Sequence, residues 1–125
     1  MIVLDERMRR ALARHGGAAI RRPLLKLRPI ADHPMIHGGA GVYVACDLHD
    51  RVLYVGSVYR PTNPFGVSCR IAEHLAEPDQ TKALRWQRLW ALLVDEPRDL
   101  GWIRDYEAVV GAELAPVWNE RLPAL

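Results

Sequence analysis

Two tyrosines, an arginine, a histidine and a glutamate in this sequence carry groups able to bind an anion, move a proton or hold a cation. Tyr43 and Tyr54 lie in two short apolar runs, Gly41 to Cys46 and Val52 to Gly56, parted by the polar Asp47-Leu48-His49-Asp50. β-Branched and aromatic residues fill both runs, and the polar break suits a β-hairpin. Closed symmetrically about Leu48 and His49, the hairpin sets Asp47 against Asp50, Cys46 against Arg51 and Tyr43 against Tyr54. Directly opposed residues share a face, with Cβ atoms roughly 5 Å apart, so two phenols would stand side by side. Leu-His is a poor sequence for a tight primed turn, which leaves room for a wider loop. The pairing holds as long as no bulge shifts the register. Arg70 and His74, spaced i, i+4, project from one face of a helix. Glu107 falls inside an apolar helical stripe, where unpaired burial is costly, so it should meet a cation, a metal or a cleft.

The elements that must position these groups follow from periodicity and breakers. Val3 to His15 reads as a short helix ended by Gly16-Gly17, with Leu4, Met8, Ala11 and Leu12 on one stripe and Arg7, Arg10 and Arg14 beside or opposite it. Pro23, Pro29, Pro34 and Gly38-Gly39 break residues 18–40 into a connector that wraps the core, with room for a short helix or strand near Leu24 to Leu27. His33 and His37 sit there four apart as a metal pair or, more simply, as surface histidines. Val58 to Gly66 is a loop, and a helix follows from about Val67 to Ala76, closed by Pro78, with Val67, Ile71 and Leu75 inward and Ala72 and Ala76 alongside. Residues 81–87 are ambiguous. Leu89 to Val94 suits a third, well-buried strand, ended by Pro97. A second helix runs from about Leu100 to Leu114, with Asp99 as N-cap, and Pro116 ends it ahead of an extended Val117-Trp118-Asn119. One line of that helix is Trp102, Tyr106 and Val109; the other is Ile103, Val110 and Leu114.

At 125 residues, half of them hydrophobic and about a quarter charged, the chain is one domain, or one domain with an appendage, and can bury a real core. No apolar run approaches the ~20 residues a bilayer span needs, and charges interrupt the N-terminus where a signal peptide would be apolar. Two cysteines, Cys46 and Cys69, make neither a disulfide framework nor a metal pattern, so reduced thiols in a cytoplasmic protein are expected. Residues 1–28 carry eight Lys/Arg against two acids, a net +6, and residues 29–125 nine against thirteen, a net −4. That asymmetry suits an N-terminal arm on a polyanion, or a solvated helix face with no partner.

The order strand, strand, helix, strand, helix, with Gly41-Val42-Tyr43, Tyr54-Val55-Gly56, Arg70-x3-His74, Glu107 and Pro116-x2-Asn119 at its marked points, resembles the GIY-YIG nuclease family. The resemblance covers about Gly41 to Arg121. It implies a small α/β (α+β) fold, a three-stranded, mainly antiparallel sheet flanked by helices. Here residues 1–40 form a basic helical arm and connector, and 41–125 the nuclease-like domain. It further implies a divalent-metal-dependent endonuclease that hydrolyses DNA phosphodiester bonds, with one Mg²⁺ or Mn²⁺ on Glu107. Arg70 matches the family's catalytic arginine and Asn119 its asparagine. The loop Val58 to Gly66 is longer than in compact members, and the arm has no counterpart in the family's core.

Phosphodiester hydrolysis needs an activated water, charge stabilisation on the phosphate and help for the leaving oxygen. Within the resemblance Arg70 pairs with non-bridging oxygens, and a metal on Glu107 keeps most of its waters. Either Tyr43, its pKa lowered by cations, or His74 takes the proton. Tyr54 orients water or phosphate, and Asn119 bonds across the site. DNA contacts are expected from Gly56, Ser57 and Arg60 and, on the arm, from Arg7, Arg10 and Arg14. A homodimer or a partner protein would supply targeting.

Taken singly, the tyrosines are also ordinary half-buried strand residues, and Arg70 with His74 an exposed helix face. Glu107 is equally a structural partner of Arg70, and Asn119 the end of the last turn. Trp86, Trp90, Trp102 and Trp118 suit core packing, and Cys69 a small core residue. The rival function is a non-catalytic nucleic-acid-binding or scaffold module on the same fold; a third is a toxin or defence effector using the same chemistry.

Overall fold

A computed structural model describes residues 25–26, 37–49, 51–93 and 100–115. The helix over Val3 to His15, His33, Asp99, the Val117-Trp118-Asn119 tail and the arm arginines Arg7, Arg10 and Arg14 lie outside them. Strands β1 (Leu25–Lys26), β2 (Ala40–Cys46) and β3 (Val52–Tyr59) are followed by helices α1 (Gly66–Leu75) and α2 (Thr81–Arg85), then by strand β4 (Arg88–Leu93) and helix α3 (Leu100–Leu114). The strands lie in the order β1-β4-β2-β3, every neighbouring pair antiparallel. Three strands carry the sheet, and β1 adds two residues to one edge. No helix among the described residues is long and apolar enough to cross a membrane.

Alternation sorts the side chains of β2 onto two faces. Val42, Val44 and Cys46 join Val52, Val55, Trp90, Tyr106, Val110 and Leu114 under α3. Tyr43 and Ala45 join Leu53, Val58, Val67, Ile71, Trp86 and Leu89 under α1. The tryptophans at 86 and 90 are buried as expected and Trp102 packs half-buried, whereas Cys69 is only half-buried. The buried side of α1 differs from the predicted stripe. Val67 and Ile71 are inward, but Ala72 and Ala76 are exposed, and Ser68 and His74 take the buried positions instead. Two small alanines offer little apolar area, so the imidazole and its partners win that surface.

The hairpin register departs from the symmetric one. Cys46 pairs with Val52 rather than Arg51, and Tyr43 with Gly56 rather than Tyr54. Two causes add. Asp47 Oδ1 accepts the N–H groups of His49 at 2.9 Å and Arg51 at 3.0 Å, and Arg51 Nε donates to Oδ2 at 2.6 Å, which holds a loop one residue wider. A bulge then leaves Leu53 without a partner between the pairs Ala45–Tyr54 and Cys46–Val52. One shift alone would turn Tyr54 to the other face; two restore it.

Gly38 and Gly39 dock the start of α1. Gly38 N donates to Pro64 O at 2.7 Å, Arg60 N to Gly39 O at 2.8 Å and Val67 N to Gly38 O at 3.0 Å. A Cβ on Gly39 would lie 2.5 Å from Arg60 O and 2.8 Å from Asn63 O, so only glycine allows this approach. The connection sets α1, and with it Arg70 and His74, against the β2–β3 hairpin.

Candidate active site

Tyr43 extends from β2 across Gly56 of β3, the outer strand of the sheet. A Cβ at residue 56 would overlap Tyr43 Oη and Cζ, so the glycine clears the path by which the phenol reaches the sheet edge. There Tyr43 Oη and His74 Nε2 are hydrogen-bonded at 2.7 Å. The Tyr54 ring stacks on Tyr43, centroids 6.2 Å apart and planes 21° from parallel. They are diagonal rather than facing neighbours, and on one face as expected. His74 is 2 % exposed, its ring edge-on to Tyr54 at 5.2 Å and tilted against Trp86 at 5.2 Å.

Burial, followed by the charges of Lys82 and Arg70, pushes the His74 pKa down to about 4, against an opposing pull from Glu77. The imidazole is therefore neutral at pH 7. Burial, then the neighbouring Tyr54 phenol, raises Tyr43; Arg70 opposes this by charge and hydrogen bonding, while the Glu107 carboxylate adds to it. Tyr54 is raised by burial and then by Glu107, and lowered by Arg70. Both phenols thus feel the guanidinium of α1 and the carboxylate of α3.

Glu107 is half-buried on α3. Burial raises its pKa, opposed first by a Ser57 side-chain hydrogen bond, then by the Arg104 charge and the Ser57 backbone. Ser57 alternates onto the α3 side of the edge strand, so it anchors the carboxylate. The ion pair of Glu107 with Arg70 that the sequence left open does not form: Arg70 Nη1 bonds Glu73 Oε1 at 3.2 Å. Arg60, expected to meet DNA, forks onto the same carboxylate at 2.6 and 2.9 Å. Its hydrogen bonds hold the Glu73 pKa down at about 2.

Among the described residues no group of three or more His, Cys, Asp or Glu could cage a metal. A single half-buried carboxylate fits a different kind of site, in which Mg²⁺ takes one or two protein oxygens and fills the rest with water and substrate phosphate. His37 is exposed and packs edge-on against Phe65 at 5.8 Å.

Tyr43, Tyr54, Arg70, His74 and Glu107 are therefore brought to the β3 edge, with Gly56 and Ser57 beneath them; Asn119 and the arm arginines are outside the described residues. Sequence reasoning missed Glu73, Glu77 and Lys82. The spacings Arg70–Glu73 and His74–Glu77, each i, i+3 on one helix, carried a signal for the first two. Lys82 sat in the stretch whose structure was ambiguous. No family model, curated protein or solved structure matches this chain.

Proposed function

We propose that the protein is a GIY-YIG-type, divalent-metal-dependent endonuclease that hydrolyses phosphodiester bonds of DNA. The observation that carries the proposal is one phenol, Tyr43, bonded to His74 at 2.7 Å and under the opposing charges of Arg70 and Glu107. A phenol, a guanidinium and a matched carboxylate at one open sheet edge are the groups that in-line attack on a phosphate requires.

Arg70 binds the non-bridging oxygens, exchanging its single contact with Glu73 for a charge-assisted fork. Glu107, held by Ser57, is the residue that would hold Mg²⁺ or Mn²⁺; when bound, such a cation supplies Lewis-acid polarisation of the phosphate and of the leaving oxygen. Tyr43 Oη accepts the proton of the attacking water as the phenolate, its own proton having first passed to bulk solvent. Its phenol is protonated at neutral pH in the free protein, because burial outweighs Arg70. With the Glu107 charge matched by a cation, one of the contributions raising Tyr43 disappears, in the direction that general-base catalysis needs. Tyr54 stacks on Tyr43 and fixes its ring.

Plasmid nicking with Mg²⁺ or Mn²⁺ tests this on the parent chain, Glu107→Ala and Arg70→Ala. Cleavage by the parent and its loss in both variants is the expected result. Equal cutting by all three, or none by the parent while DNA is still bound, overturns the proposal in favour of a non-catalytic binding module.

A further inference from the structure

Beneath the tyrosines lies a charged pair that the proposed chemistry does not use. Lys82 Nζ is 3.0 and 3.1 Å from the two carboxylate oxygens of Glu77, and both residues converge on His74 Nδ1. Lys82 Nζ is 2.8 Å from Nδ1, and Glu77 Oε2 is 3.3 Å from it. Each neighbour demands a different tautomer. Glu77 can only accept, so it calls for a proton on Nδ1. An ammonium has three hydrogens to donate and no lone pair, so it calls for a bare Nδ1. The ammonium is the closer, and it also neutralises the carboxylate that competes with it. In a neutral imidazole with bare Nδ1 the proton sits on Nε2, and Nε2 is the atom bonded to Tyr43 Oη.

We propose that Lys82 is a positioning residue that locks His74 as its Nε2–H tautomer, so that the imidazole donates to the Tyr43 oxygen instead of taking its proton. The choice between Tyr43 and His74 as base then falls to Tyr43. A phenolate there is stabilised by Nε2–H on one side and by the Arg70 guanidinium on another. Among the described residues the other groups facing His74 do not compete for its nitrogens. Tyr54 and Trp86 present ring surfaces, and Arg70 acts by charge from the preceding turn. Lys82 also lies over the Tyr54 ring, its Nζ 5.2 Å from the centroid, which holds the ammonium on this side of the pocket.

The catalytic part of this inference rests on the endonuclease proposal; the tautomer does not. Nitrogen-15 spectra of the histidine-labelled full chain at neutral pH read the tautomer directly. In the parent, His74 Nδ1 should show the shift of a bare ring nitrogen and Nε2 that of a protonated one. Lys82→Met should reverse or mix the two, as Glu77 reclaims Nδ1–H, and Lys82→Arg, still only a donor, should retain the parent pattern. A parent protonated on Nδ1, or a Lys82→Met variant with unchanged shifts, overturns the proposal. In cleavage, Lys82→Met should lose about ten- to a hundredfold at pH 7, recover as pH rises, and be rescued by Lys82→Arg. A uniform loss at every pH, or no rescue, means a structural role only and overturns it. The expected spectra with no cleavage by the parent would fault the endonuclease proposal alone.

Discussion

Tyr43 and Tyr106 are both buried phenols, one on each face of the same sheet, and they differ in the company they keep. Tyr106 projects from α3 among valines, leucine and Trp102, and burial raises its pKa. Tyr43 is raised by burial too, yet a guanidinium, a second phenol and a carboxylate also act on it, and an imidazole holds its oxygen. Removing a phenol from water silences it as an acid or base. What returns it to use is an arrangement of donors and positive charge around the oxygen, and the α1 face gives Tyr43 one in His74 and Arg70. Around Tyr106 the α3 face packs, and its carboxylate, Glu107, stands apart beside Ser57; the α1 face spends apolar area on ionisable groups and recovers it through their pairing.

The sharpest way to break that contrast is to delete each hydroxyl. Tyr43→Phe should slow DNA cleavage by about 10²–10⁴-fold, while Tyr106→Phe should leave the rate within about twofold. Equal losses from the two would mean that the α1 face is packing as well.

The next effect is on stability. His74 has its folded-state pKa depressed from 6.5 to about 4. Between those values the unfolded chain binds the proton more readily than the folded one. The contribution is therefore fully present above pH 6.5 and is lost as pH falls through 4, on the order of 3 kcal/mol in all. Urea midpoints should already fall between pH 6.5 and 5, where few carboxylates titrate, and His74→Gln should flatten that limb. A parent whose stability is level from pH 7 to 5 would place a charged, hydrated imidazole where a buried neutral one is expected.

The smallest effect concerns the arginines. Glu73 occupies Arg60 and Arg70 at once, so a DNA phosphate must displace it. Glu73→Gln should tighten DNA binding severalfold and steepen its salt dependence by about one released counterion. Unchanged affinity would show that the two guanidinia meet phosphate without leaving the carboxylate.

Local periodicity determined most of the elements. The last helix occupies Leu100–Leu114 as its apolar lines require, and β4 lies within one residue of the apolar run that predicts it. That both tyrosines share a face was also legible, since face depends only on parity. Register was not, because the Asp47 loop and the Leu53 bulge each add a residue and neither has a strong sequence signature. The site divides in the same way. Arg70, His74 and Glu107 stood out as ionisable groups on helices with a buried face, and Glu73 and Glu77 follow one turn behind. Lys82 could come only from the tertiary structure. Eight residues and a change of helix separate it from His74, and no spacing rule spans such a gap. Sequence determines what a helix or strand will present along its own axis. Which nitrogen of an imidazole carries the proton depends on the group that folding brings opposite it.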